Sequence, residues 1–293
     1  MNYMKPIKLT AVFASLLFFV ACQKELSIET GGTPGGGGTG GGTGGGNSSG
    51  ATLVKRVNQL GSTDSVVENF TYDSNKKLVK YTLAGSLLTL DEDKRGHYIR
   101  NSQGKITRIV DSAYDFLLSR WDSTITDVFY NGSSISHLIR LTNNTDKDSV
   151  AITYTNGKIT SAKFFQFSGG SYSPDIENTY AYDGNGNITN VKYYDISGTT
   201  PVLENETKYS YDNKTSPLQL GEEAVITGLD MQAGPNNFNK VEDIDMSTST
   251  PTSSTSTFTI TYRTDNTPAS ATIVIQLSLS PVPLNATSTY YYQ

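Results

Sequence analysis

One cysteine, two histidines and one tryptophan are all that the 293 residues contain of those types. A single cysteine excludes any intramolecular disulfide. The histidines, His97 and His137, stand in neither of the short spacings that build metal sites, so no metal is expected. There is no Gly-x-Ser-x-Gly elbow, phosphate loop or dinucleotide fingerprint, and no catalytic residue or cofactor is expected. Positive charge is also short, with 23 Lys and Arg against 28 Asp and Glu and a net charge of −5. Such a chain has no general attraction for nucleic acid.

Apolar runs are confined to the N-terminus. Lys5 and Lys8 precede an apolar stretch from Leu9 to Val20, which is too short to span a bilayer and reads as a targeting segment. The run Phe19-Val20-Ala21-Cys22 resembles the bacterial lipobox, whose cysteine is lipidated after cleavage. Residues 1–21 are then a lipoprotein signal peptide, and Cys22 is the lipid anchor that ties the protein to the membrane. Cleavage removes two lysines, leaving 21 bases against 28 acids, about −7. The next residues, Gln23-Lys24-Glu25, resemble a Lys-acidic surface-export signal with one acid where two are usual; they read equally as a plain polar tether. An outer-membrane lipoprotein of the cell envelope is expected, with the cell surface open to it. Residues 22–50 form a tether, for 13 of the chain's 27 glycines fall between Gly31 and Gly50 and no side chain there can build a core.

From Ala51 onward the composition turns to Tyr, Thr, Ser, Val and Ile, which favour strands. A phrase repeats: Tyr72-Asp73-Ser74-Asn75, Tyr154-Thr155-Asn156-Gly157, Tyr182-Asp183-Gly184-Asn185-Gly186-Asn187-Ile188, Tyr211-Asp212-Asn213-Lys214. Alternating apolar and polar runs flank each copy, and Asp, Asn and Gly supply the left-handed conformations of a hairpin turn. The spacing of the copies, with further turns at Gly104 and Tyr130-Asn131-Gly132, fits two long strands per repeat. Residues 51–293 are therefore expected to be one all-β domain. It is a long antiparallel up-and-down meander, curled into a barrel or half-barrel. Three stretches interrupt the rhythm. Ser112–Trp121 suits helix or strand, Pro217–Asn239 is irregular and reads as a short helix or plug covering one barrel end, and Ser247–Thr257 reads as a flexible hairpin tip.

The phrase is similar to YD repeats. Phe70-Thr71-Tyr72-Asp73, Tyr180-Ala181-Tyr182-Asp183-Gly184-Asn185-Gly186, Tyr209-Ser210-Tyr211-Asp212 with Pro217-Leu218, Pro235-Asn236-Asn237 and the closing Tyr290-to-Tyr292 resemble more closely a Bacteroidetes lipoprotein family of unknown function with a porin-like fold. That resemblance implies fold and carries no activity. A membrane-spanning barrel is not expected, because Lys163, Lys192, Glu204, Glu206 and Lys208 fall within strands where a lipid-facing wall would need apolar residues.

Local candidates for chemistry have plain alternatives. Asp183-x-Asn185-x-Asn187 begins like a calcium loop, but Ile188 and Tyr194 occupy the positions requiring Gly and Glu. Asp91-Glu92-Asp93 reads as a solvated hairpin tip. Asp-Ser pairs place Ser65, Ser112, Ser123 and Ser149 in tripeptides that resemble O-glycosylation acceptors. Three functions are in play. The first is a non-catalytic binding or scaffold module for glycan or protein, displaying exposed aromatic platforms and no buried charged constellation. The second is a carrier with an unfilled apolar cavity, and the third a hydrolase using His97 or His137.

Overall fold

A computed structural model of the chain describes residues 52–62, 64–87, 90–115, 118–218, 234–278 and 280–293. Sixteen antiparallel strands form one closed barrel, each paired with its neighbours in sequence. The first eight are β1 (Leu53–Leu60), β2 (Asp64–Tyr72), β3 (Leu78–Leu87), β4 (Leu90–Arg100), β5 (Ile106–Asp115), β6 (Arg120–Asn131), β7 (Ser134–Thr142) and β8 (Asp146–Thr155). The rest are β9 (Lys158–Ser168), β10 (Ser171–Tyr182), β11 (Ile188–Asp195), β12 (Val202–Thr215), β13 (Asn236–Asp245), β14 (Thr252–Tyr262), β15 (Pro268–Gln276) and β16 (Leu284–Tyr292). Closure comes from β1 on β16, with Arg56 opposite Tyr290 and Asn58 opposite Ser288. The meander is thus a full barrel, not a half-barrel, and no open edge is left along the closing ladder.

The repeated phrase builds one end. In the turn after Tyr72, Asp73 Oδ1 accepts from the backbone N–H of Asn75 and Lys77 at 2.8 and 2.9 Å. Asn101 does the same for Gln103 and Lys105, and Asp183 for Asn185 and Asn187. One residue of each turn is left-handed: Lys76 (φ 59°), Gly104 (78°) and Gly186 (97°). Asn156 and Gly157 both have positive φ, as the tightest hairpin turn requires.

The first or second residue of the strand after each of these turns is aliphatic and points inward. Leu78, Ile106, Ile135, Ile159 and Ile188 are all buried. The tyrosine closing the next hairpin then hooks back onto this ring. Tyr130 donates its hydroxyl to the Ile106 carbonyl at 2.9 Å, Tyr211 to Ile188 at 2.7 Å and Tyr292 to Pro268 at 2.9 Å. On β4, Arg100 takes the tyrosine's place and donates to the Leu78 carbonyl at 2.7 Å. Hairpin is tied to hairpin by side chain as well as by ladder.

A sixteen-strand barrel is wide enough to hold an aqueous channel. Here the half nearest these turns holds a core instead, with Leu53, Phe70, Tyr98, Val128, Tyr180, Tyr209 and Phe258 buried against the aliphatic ring. Leu218, just beyond β12, joins them. Of the stretch Pro217–Asn239, residues from Asn236 on are regular strand and 219–233 lie outside the described residues. One open reading is resolved and one expectation is corrected. Ser112–Asp115 ends β5 and Arg120–Trp121 begins β6, with Tyr114 and Trp121 opposite each other on the wall. Thr252–Thr257 belongs to β14 and not to a flexible tip, since Ser254 and Ser256 face inward and are buried.

Candidate functional site

Cys22 and the tether lie outside the described residues. The four candidate serines are brought to one surface: Ser65, Ser112, Ser123 and Ser149 occupy half-buried outward positions on β2, β5, β6 and β8. Ser112 and Ser123 face each other across a strand pair. Their aspartate partners point inward, so these pairs are strand residues and not turns. Asp93 likewise lies inside β4, opposite Ala84, which removes the hairpin-tip reading of Asp91–Asp93. Asp183 spends its carboxylate on its own turn, as Asn187 adds a side-chain bond at 2.8 Å. Burial would raise its pKa, but these bonds hold it below the usual carboxylate range.

His137 lies on the outer wall, stacked on Phe129 with ring centroids 4.5 Å apart. Its Nδ1 is 2.9 Å from Ser136 Oγ, yet this neighbour in sequence lies on the outer wall, and among the described residues no carboxylate meets the ring. His97 faces outward between Lys80 and Val110. Neither histidine sits in a cleft with a serine or carboxylate.

The interior contains what sequence reasoning missed. Arg56 and Glu68, 7% and 1% exposed, form a bidentate ion pair across β1 and β2. Asn58 Nδ2 and the Tyr81 hydroxyl also donate to Glu68, at 2.9 and 3.1 Å. The expectation of no buried charged constellation is therefore wrong. Toward the end away from the tyrosine hooks, the inward positions of β5 to β14 turn acidic. Asp111 is pushed up to about 7 by burial, against the pull of Lys94. Burial likewise raises Asp243 to about 6, although Thr207 and Asn205 donate hydrogen bonds to it. Arg140 pairs with Asp148 and lies over the Phe164 ring. In this alternation every second residue of a strand reads alike whichever side it faces, and only the register decides that Asp111 goes in and Ser112 out.

The outer wall changes in character around the barrel. On β14, Ser253, Thr255, Thr257, Thr259 and Thr261 all face outward, continued by Ser270 and Thr272 on β15 and Thr287 and Thr289 on β16. Charged pairs such as Lys163–Glu177 and Lys192–Glu206 stand on β9 to β12. A lipid-facing belt cannot be built from these residues. From β4 to β10 the wall is richer in rings, arranged in two matching platforms. In the first, Tyr114 and Trp121 face each other across β5 and β6 with centroids 5.7 Å apart, and Arg95 from β4 lies 4.3 Å over Trp121. In the second, Phe167 and Tyr172 pair across β9 and β10 at 5.0 Å, with Lys147 from β8 at 5.5 and 5.7 Å from the two rings. Trp121, Phe167 and Tyr172 are each about two-fifths exposed. Each platform is a cross-strand aromatic pair at the far end of a hairpin, capped by a cation from the strand before it. They lie four strands apart, roughly 20 Å along the sheet.

No protein-family model and no curated protein sequence matches the chain. Among solved structures it is similar to a porin-like protein from Bacteroides uniformis, with 11% identity and a TM-score of 0.50 over 82% of this chain and 96% of that one. A second porin-like protein, from Bacteroides vulgatus, aligns at 14% identity and a TM-score of 0.46, covering 83% and 99%. The first likeness is one of fold, and the fold is porin-like.

Proposed function

We propose that the protein is a non-catalytic binding module of the cell envelope, held by lipid at Cys22, which engages a glycan chain through its outer wall between β4 and β10. The two ring platforms carry this reading. Large rings two-fifths exposed on rigid strands give contact area at little entropic cost, and sugar faces are among the few polar ligands that stack on them. Both barrel termini lie at the tyrosine-hook end, where Thr52 and Gln293 exchange backbone hydrogen bonds. A tether ending at residue 50 therefore joins the end remote from the platforms. The family suggested by the Tyr-Asp phrase, a Bacteroidetes lipoprotein family, fits this placement.

The carrier reading loses ground because the apolar inward positions bury one another. The hydrolase reading has no assembled histidine. O-glycosylation of Ser65, Ser112, Ser123 or Ser149 is compatible with their outward positions; an intact mass of native protein showing the lipid adduct alone would remove it. Binding is tested by presenting residues 51–293, which contain all sixteen strands and the closing ladder, to an array of neutral and acidic glycans. Binding that disappears in a Trp121→Ala, Tyr172→Ala double variant with an unchanged melting temperature is expected. An array with no signal above background overturns the reading.

A further inference from the structure

Resting on that binding reading, we infer that the glycan is acidic, with its carboxylates meeting Arg95 and Lys147. The outer wall pairs several of its cations: Arg108 with Asp127 at 2.6 Å, Lys163 with Glu177 at 3.5 Å and Lys192 with Glu206 at 3.9 Å. Arg95 and Lys147 are both exposed, and among the described residues neither has a carboxylate within ion-pair reach. Lys55 and Lys80 on the outer wall likewise lack an acid among the described residues, so position and not lack of a partner sets Arg95 and Lys147 apart. These two are the cations that sit on the ring platforms.

The rings hold them in place. A guanidinium or ammonium resting on an aromatic face keeps its remaining N–H donors toward solvent. An incoming carboxylate then finds a donor whose conformational freedom is already reduced, and a fork-shaped contact at Arg95. The two platforms repeat one construction, Arg95/Tyr114/Trp121 and Lys147/Phe167/Tyr172, roughly 20 Å apart by strand spacing. A ligand that is itself periodic can occupy both at once, and the second contact is then intramolecular. A nucleic acid fits less well, because its affinity grows with the number of phosphates neutralised and only two cations sit on the platforms.

The test is calorimetric titration of residues 51–293 with galacturonate oligomers and neutral glucan oligomers of equal length, in lengths that reach one platform or span both. The galacturonate oligomer spanning both is expected to bind at least tenfold tighter than its short form and than the neutral chain, and to weaken with added salt. Arg95→Gln with Lys147→Gln should lower its affinity at least tenfold. Lys55→Gln with Tyr291→Ala, a lone cation over a lone ring on β1 and β16, should leave it unchanged. Melting curves of each variant confirm folding. Equal binding of acidic and neutral chains overturns the acidic assignment and leaves the binding reading standing; absence of binding by either overturns both. Single-stranded DNA of matched charge binding as tightly as the galacturonate overturns the assignment of ligand class.

Discussion

At the end where the termini meet, the inward positions are Leu78, Ile106, Ile135, Ile159 and Ile188, all buried, with tyrosine hydroxyls fastened to three of the neighbouring strands' first carbonyls. At the other end the strands present inward Asp111, Asp122, Asp148 and Asp243, and outward the two ring platforms. The hooked end repeats its residues from turn to turn, whereas the far end repeats only the construction of its two platforms. A hairpin turn needs the same residues each time, because left-handed backbone and side-chain capping admit few alternatives. The loops and rims opposite carry no such constraint, which leaves them free to carry binding.

That contrast is broken most directly by truncating one side chain at each end. Ile159→Ala at the hooked end removes a fully buried group and should cost about 2–5 kcal/mol. Leu118→Ala at the opposite rim, 59% exposed, should change stability by less than about 0.5 kcal/mol. Chemical denaturation of the two variants checks both. Comparable losses would mean that the rim is as much core as the hooked end.

The acidic half should make stability depend on pH. Asp111 has a folded pKa of about 7 against an ordinary value near 3.9. The folded state thus binds its proton more tightly, and the penalty for ionising it is absent below about pH 4 and grows as pH rises to 7. Asp243, raised to about 6, acts in the same direction over a narrower range. The barrel is therefore expected to melt higher at pH 5 than at pH 8. Asp111→Asn should raise the melting temperature at pH 8 and flatten that slope. A slope unchanged in this variant would locate the effect elsewhere.

The tyrosine hooks give a smaller effect with an internal control. Tyr211→Phe deletes a hydroxyl that donates to Ile188 at 2.7 Å and should cost about 1 kcal/mol. Tyr182 occupies the equivalent place one hairpin earlier, but its buried hydroxyl has no hydrogen-bond partner among the described residues, so Tyr182→Phe should cost nothing or stabilise slightly. Equal losses at both positions, in matched urea titrations, would show that the ring and not the hydroxyl fastens the hairpins.

The hooked end was legible in the sequence and the opposite end was not, for a physical reason. Tyr182-Asp183-Gly184-Asn185-Gly186 is a local instruction, since Asp183 caps the amides two and four residues on. The platforms are not local. Trp121 meets Tyr114 through a hairpin, but Arg95 arrives from β4 and Lys147 reaches Phe167 across a ladder, so their meeting depends on register. The Arg56–Glu68 pair was hidden for a related reason, as charges in an alternating strand are read as outward until closure on β16 decides otherwise. Strand number and closure likewise had no local signal.

Lys76→Gly probes the turn itself and carries the smallest change. Lys76 sits at φ 59°, the conformation held by Gly104 and Gly186 in sister turns, and a side chain there costs roughly 1 kcal/mol. Glycine would lift that strain but add freedom to the unfolded chain, which opposes it by a comparable fraction. A net gain of about 0.5 kcal/mol is expected, read as a small rise in the denaturation midpoint at constant slope. The balance is informative because Lys76 makes a turn that Asp73 already caps twice. If glycine gives no gain, the capping bonds alone set the turn, and the repeated phrase needs its aspartate more than its glycine.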